Sequence, residues 1–339
     1  MTGLRSPIQL LAPVALVVAA GVIGSLFARE REIYVITALV SVAIVVSLFV
    51  FVGNSGVVSF GHISFVAVGA WAAGVLSIPA EEKAAILPSL FPFLRDTTVG
   101  SVASLAIAAA VGGVYALLVG LPLMRLSGLT AGIATFAVLE ITHNVLRYYE
   151  KIGPGTGAFS SVPETTGLRQ ATIGAVIAVV AAFAYTTSRL GRQLRATRED
   201  PFAAQAVGIS IHRQRLWSFA LSGALAGFAG GLYVHLIPIT SEGVYLDLTF
   251  ITLAMLVIGG LTSLWGAVVG ALAVSGLDSL LAEAEGGIDV AGHTVDLPAG
   301  TRLIVVSALM ALVLILRPSG LTGGREFSLE RFRPRPESA

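Results

Sequence analysis

The sequence predicts an all-α polytopic membrane protein, with about eight transmembrane helices plus a broken or re-entrant helical hairpin. Three observations carry that. Of 339 residues, 55% are hydrophobic and only 12% charged, where a soluble domain has about a quarter charged. The mean hydropathy is +0.87. The apolar residues fall into runs of about 20, enough for a helix to cross the hydrocarbon layer. The whole chain, 1–339, reads as one transmembrane domain, with a basic cytoplasmic loop at 189–215 and a basic cytoplasmic tail at 317–339.

Ile8 to Phe27 is the first run. Arg5 ahead of it also fits a signal peptide, but its length and the span following at once favour a membrane helix. Ile33 to Val52 is the second span, broken by Gly53-Asn54-Ser55-Gly56. Val57 to Ile78 follows and is polar for a lipid-facing helix, with Ser59, Gly61, His62 and Ser64. Pro79 to Asp96 reads as a loop. Gly100 to Met124 spans, Arg125 to Gly128 turns tightly, and Leu129 to Leu146 spans again. Arg147 to Gln170 is a long loop, and Ala171 to Thr187 the next span. Leu216 to Ile237 carries Gly223, Gly227 and Gly231 on one helix face, a site of close helix contact. Thr249 to Leu281 is interrupted from Gly259 to Gly266, Asp278 to Leu297 is an acidic loop, and Arg302 to Leu316 is the last span.

Between these spans, Gly191 to Trp217 is the longest basic polar stretch, with Arg192, Arg195, Arg198, Arg213 and Arg215. It contains a short helix with both ends written in. Asp200 is a good N-cap, Pro201 suits the first helical position, and Gly208 can close the C-terminus. Pro201 to Val207 is about two turns, too short to persist alone. It reads as a docking element for a cytoplasmic partner or as a solvated interfacial loop. Arginine placement puts the basic stretch and the tail on the cytoplasmic side. Thr249 to Leu281 must then begin and end outside, either re-entering half way or crossing twice as two short helices. Counting back puts the N-terminus inside as well, unless Gly53 to Ile78 is itself re-entrant.

Several chemistries are excluded. Cysteine is absent, so disulfide and thiolate chemistry are out. Lys83 and Lys151 are the only lysines, and neither follows a phosphate-cradling glycine loop, so ATP hydrolysis by that route is out. The histidines lack ligand spacing, and His62 and His235 read as structural hydrogen-bonding groups. No catalytic residue and no metal site is assigned. Arginines scattered among loops give no nucleic-acid face. Glu140, His143, Asn144 and Arg147 share a helix face. An acid at the bilayer centre costs about 2.5–3.5 kcal/mol on insertion scales, so this face is either the polar wall of a path or the wet outer end of a helix. Gly56-x-x-Ser59 and Gly260-x-x-Ser263 look related, each followed by a further glycine and a Gly-Ala pair. Discontinuous helices in corresponding places point to a transport pathway.

Four segments carry a family resemblance. They are GNSGVVSFGHISFVAVGAWAAG (Gly53 to Gly74), the loop Gly191 to Ile209 followed by LSGALAGFAGGL (Leu221 to Leu232), VIGGLTSLWGAVVGA (Val257 to Ala271) and RPSGL (Arg317 to Leu321). Over nearly its whole length the chain resembles the permease subunits of branched-chain amino-acid ABC importers, the M-type more than the H-type. It departs from the pattern after Gly128, where Leu129-Thr130-Ala131-Gly132 stands in place of an acidic and an aromatic residue. The resemblance implies an ATPase-coupling helix of Glu199, Asp200, Pro201, Ala203, Ala204, Ala206, Gly208 and Ile209. With the polar breaks it gives a candidate translocation path of Ser59, Gly61, His62, Thr135, Glu140, Gly260 and Ser263. It implies a second permease subunit, two ATP-binding subunits that hold ATP and Mg, and an extracytoplasmic substrate-binding protein. No cofactor is expected on this chain. The cargo expected is leucine, isoleucine and valine, with urea or short amides as the alternative. The place expected is the bacterial inner membrane, with both termini cytoplasmic. An ion-coupled secondary transporter and a membrane scaffold are the competing classes.

Overall fold

The computed structural model describes residues 5–327 apart from 287, 291, 292, 296 and 299. The expected tail beyond Phe327 lies outside the described residues. In chain order come α1 (Arg5–Gly24), α2 (Arg29–Ser55), α3 (Ile63–Ser77), α4 (Ala80–Ile86), α5 (Pro92–Arg95), α6 (Ser101–Leu123) and α7 (Gly128–Tyr148). There follow α8 (Leu168–Thr187), α9 (Arg189–Glu199), α10 (Pro201–Ala206), α11 (Ile211–Val234), α12 (Leu246–Gly259), α13 (Leu264–Glu285) and α14 (Thr301–Leu316). A small antiparallel hairpin, β1 (Ile288–Val290) on β2 (His293–Val295), lies between α13 and α14. Among the described residues, 6 helices are long and apolar enough to cross a membrane, or up to 7 if the bent α3–α4 pair is one span. The helices α12 and α14 are also apolar but shorter, about 21 and 24 Å at 1.5 Å per residue. The chain is a polytopic helical membrane protein.

The centre is α2 packed beside α11. From Ala38 to Ser55 every residue of α2 but Ser41 is buried, as expected of a helix that is apolar all round. On α11 the glycine face meets α6 on one side and α3 on the other. A Cβ on Gly227 would lie 2.3 Å from the Ala108 carbonyl oxygen, and one on Gly69 would lie 2.4 Å from the Gly227 Cα. These helices touch backbone to backbone, the packing that small residues permit. Phe219 fills the adjoining space, edge-on to Phe51 at 4.9 Å and to Phe65 at 5.1 Å.

Packing pairs fix the direction of each helix relative to the arginine-rich α9–α10 segment. α2 ends there, and α11 begins there. α6 runs antiparallel to α11, with Gly120 against Leu216 and Leu105 against Gly231. α3 runs with α11 instead, His62 lying near Ser222 and Gly74 near Val234. α12 and α13 form an antiparallel hairpin, Gly259 on Gly266 and Met255 on Gly270. Its tip returns to the arginine-rich end, where a Cβ on Gly53 would lie 2.8 Å from the Leu261 carbonyl oxygen. The broken region therefore doubles back rather than continuing as one helix.

Three expectations change. The first break begins at Gly56, not Gly53, because α2 stays helical through Ser55 and Gly56 closes it at φ 71. Residues 56–62 then run without helix back alongside α2 before α3 starts. The loop from Pro79 to Asp96 is partly helical, as α4 and α5. Buried Lys83 holds these turns together, its ammonium donating to the Thr97 carbonyl and, at 3.1 Å, to that of Leu94. Asp278 is no loop residue but lies on α13, paired with Arg302 at 3.3 Å; the apolar period of α13 simply continues past it.

Candidate functional site

The basic stretch folds as two helices rather than one. The Ser188 hydroxyl accepts from the Gly191 amide at 3.2 Å and starts α9. α9 buries Gly191, Leu194 and Thr197 on one side and leaves its polar side outward. Asp200 breaks the path between the helices. Its carboxylate accepts from the Phe202 and Ala203 amides at 2.9 and 3.0 Å, the N-cap that satisfies the first orphan donors of α10. At the other end Gly208 has φ 82. Its amide donates to the Gln205 carbonyl at 2.9 Å and the Ile209 amide to that of Ala204 at 3.0 Å. This is the paired C-terminal closure that needs a left-handed residue. Of the expected coupling residues, Glu199 ends α9, and Pro201, Ala203 and Ala206 are exposed on α10. Ala204 alone is buried, facing the body. Phe202 and Val207 stand 84% and 76% exposed, an apolar surface on a helix outside the bundle.

Two arginines of α9, three residues apart, reach the end of α2. Arg198 donates from Nη1 to the Gly53 carbonyl at 2.7 Å and from Nη2 to Glu199 at 2.6 Å. Arg195 Nη1 lies 3.5 Å from Asn54 Oδ1. Cations at a helix C-terminus are favourable because the last carbonyls carry partial negative charge.

The segment after α14 wraps the hairpin tip at the same end. The Leu321 amide donates to the Ile258 carbonyl at 2.7 Å and the Thr322 amide to that of Gly259 at 3.2 Å. Glu326 accepts from the amides of Leu264 at 2.7 Å and Trp265 at 3.2 Å, capping α13 from outside the helix. Burial pushes its carboxyl pKa up, opposed by those two amides, by Ser263 and by the charge of Arg195. Ser263 is the N-cap of α13, accepting from the Gly266 amide at 3.1 Å, and Gly260, at φ 127, packs against Ser319 and Thr322.

Of the candidate path residues, four come together. Along 56–62, the Phe60 amide donates to the Thr135 hydroxyl at 3.1 Å, and a Cβ on Gly61 would lie 2.1 Å from the Thr135 carbonyl. His62 Nε2 lies 3.0 Å from the Ser222 hydroxyl, which donates to the Ser47 carbonyl at 2.6 Å. Since that hydroxyl has one proton, His62 donates through Nε2 and its Nδ1 carries the free lone pair. Ser59 Oγ and His62 Nδ1 are buried without a hydrogen-bond partner among the described residues. Ser59, Gly61, His62 and Thr135 thus form one polar seam inside the bundle. Gly260 and Ser263 lie apart from it, at the hairpin tip.

Glu140 lies toward the opposite end of α7 and is exposed. It accepts from Asn144 at 2.7 Å and from the Tyr245 hydroxyl. That bond pushes the Tyr245 hydroxyl pKa up to about 12. His143 stacks on Tyr245 at 3.9 Å and approaches Glu242, which also pairs with Arg147. This cluster ties α7 to the loop before α12. Sequence reading missed Arg195, Arg198, Glu326, Ser47 and Ser222 as site residues. The three-residue spacing of the two arginines was the one visible signal, and their partners on α2 lie 145 and 141 positions away.

Comparison with known proteins gives the chain a family. The family described as branched-chain amino acid transport system / permease component matches residues 32–314. A probable branched-chain amino acid transport permease protein, LivH, of Methanocaldococcus jannaschii is 31% identical over 144 residues, 40% of this chain and 41% of that protein. The high-affinity branched-chain amino acid transport system permease protein LivM of Escherichia coli is 25% identical over 309 residues, 81% of this chain and 65% of the relative. The nucleoside ABC transporter permease protein NupB of Lactococcus lactis is 32% identical over 108 residues, 31% of this chain and 30% of that one. The chain therefore spans less than two thirds of the length of each of these relatives. No solved structure gives a significant match. With residues 32–314 matched, the chain belongs to the branched-chain amino acid transport permease family.

Proposed function

We propose that this chain is the M-type permease subunit of an ATP-driven importer of leucine, isoleucine and valine. It works beside a second permease, two ATP-binding subunits and an extracytoplasmic substrate-binding protein. The arginine-rich end faces the cytoplasm, in keeping with the distribution of positive charge across membranes. Both termini then lie on that side, and Glu140 and the cluster around it face outward. The observation that carries the reading is α10. It is a six-residue helix capped at both ends, standing outside the bundle with Phe202 84% exposed. Caps at both ends offset the poor intrinsic stability of so short a helix. They leave its apolar side free to seat in a groove on an ATP-binding subunit. That subunit supplies ATP hydrolysis, while this chain supplies the path, with Ser59, Gly61, His62 and Thr135 on its wall.

The match to a nucleoside permease supports a second reading, in which the same machinery carries a different small polar solute. The test is uptake into proteoliposomes holding this chain with its partner permease, ATP-binding subunits and binding protein, with and without internal ATP. ATP-dependent leucine accumulation is expected. ATP hydrolysis stimulated by the binding protein without leucine uptake would keep the machinery and move the cargo to nucleosides, urea or short amides. Uptake independent of ATP and abolished by an ionophore would overturn the proposal in favour of ion coupling.

A further inference from the structure

We infer that Arg198 is a positioning residue that makes the α9–α10 segment and the broken segment after α2 move as one body. A displacement of α10 thereby reaches Ser59 and His62. The inference rests on the reading of α10 as the docking element.

The guanidinium joins two elements at once. One edge donates to the Gly53 carbonyl at 2.7 Å, and the other holds Glu199, the last residue of α9, through Nε at 3.1 Å and Nη2 at 2.6 Å. A planar fork can hold both together, where an ammonium offers a point charge. The stem is used as well. A Cβ on Gly56 would lie 2.8 Å from Arg198 Cγ, so the side chain lies directly on the left-handed residue that ends α2. Arg195, one turn earlier on the same face, adds its contact at Asn54.

The chain beyond Gly56 can carry a push inward. Residues 56–62 are non-helical, and a segment of that length reaches up to about 20 Å. Val57 and Ser59 are buried along it, and its far end is tied by Phe60 to Thr135 and by His62 to Ser222. Ser59 Oγ and His62 Nδ1, buried with no hydrogen-bond partner among the described residues, sit where a shift of the segment would change what they face.

The alternative is that Arg198 only caps the C-terminus of α2. Transport stoichiometry separates the two. Complete complexes carrying Arg198→Met, Arg198→Lys or, as control, Arg213→Met would be reconstituted. Substrate moved per ATP hydrolysed would be measured, together with retention of the ATP-binding subunits. Arg213 is exposed and lies outside this contact. Arg198→Met is expected to retain the subunits and hydrolyse ATP while moving about tenfold less substrate per ATP, within the usual range for coupling between sites. Arg198→Lys is expected to recover part of that ratio. An unchanged ratio in Arg198→Met would overturn the inference and leave the transport reading intact. Loss of the ATP-binding subunits from both Arg198 variants would also overturn it, making Arg198 an assembly residue. A wild-type complex that moves no solute would overturn the transport reading first.

Discussion

Replacing Gly227 by Ala tests whether the bundle is held together by backbone contact. Alanine at a helix interior gains about 0.8–1.0 kcal/mol of propensity over glycine, so on an isolated helix the change would stabilise. Here the new methyl would meet the Ala108 carbonyl oxygen at 2.3 Å and the Gly112 Cα at 3.0 Å. Favourable contact needs roughly 3.5 Å, so α6 and α11 must part by about 1 Å. Backbone oxygens cannot swing aside, which places the cost toward the upper end of the ~1–3 kcal/mol typical of overpacking. The net expectation is destabilisation of about 1–2 kcal/mol once the propensity gain is subtracted. Gly276→Ala is the matched control. Gly276 lies on exposed α13 surface with nothing among the described residues within 4 Å of a Cβ, so its gain of up to about 1 kcal/mol should survive. The assay is the fraction of full-length chain that stays monodisperse in detergent after heating. Gly227→Ala should fall below the wild type and Gly276→Ala should match or exceed it. If Gly227→Ala is as heat-resistant as Gly276→Ala, the backbone seam is not what holds α6 to α11.

Other consequences are equally direct. Phe202→Asp should leave folding within about 0.5 kcal/mol, as for an exposed site, while the ATP-binding subunits no longer co-purify; full retention would remove α10 as the docking element. Asp200→Ala deletes two capping bonds at a typical cost of ~1 kcal/mol, read as faster amide exchange at Phe202 and Ala203, and unchanged exchange would show that α10 is held by packing alone. Because burial raises the Glu326 pKa in the folded chain, its contribution to docking the 320–327 segment is fully present below the ordinary glutamate value and is lost as pH rises through the raised one. Amide protection at Leu264 and Trp265 should therefore increase as pH falls toward the ordinary glutamate pKa of ~4.3, with the rise beginning above that value. Glu326→Gln should flatten that dependence, and a profile that is flat in the wild type would refute it.

How far the chain could be read ahead of its fold depended on the range of the contacts involved. The glycine face of α11, the caps at Asp200 and Gly208, the spans and the doubling back at Gly260 all rest on local signals. Caps are made within about five residues, a helix face repeats at fixed spacing, and burial in lipid shows as an apolar run. α9 escaped notice because it is polar on most of its surface, so its buried side of Gly191, Leu194 and Thr197 leaves little apolar rhythm. The sequence marks the first break three residues early because Gly53 is as suggestive as Gly56. Only the Arg198 stem over Gly56, and the α2 turn it caps, decide which glycine ends the helix.

By itself, then, the sequence determined the membrane class, the family and the capped α10, because each rests on composition or on residues close in the chain. Only the tertiary structure decided what α10 is attached to. Arg198 meets Gly53 across 145 positions, His62 meets Ser222 across 160, and Glu326 caps a helix 62 residues behind it. Pairings of that kind are set by which helices pack together, and no local pattern in the chain encodes them.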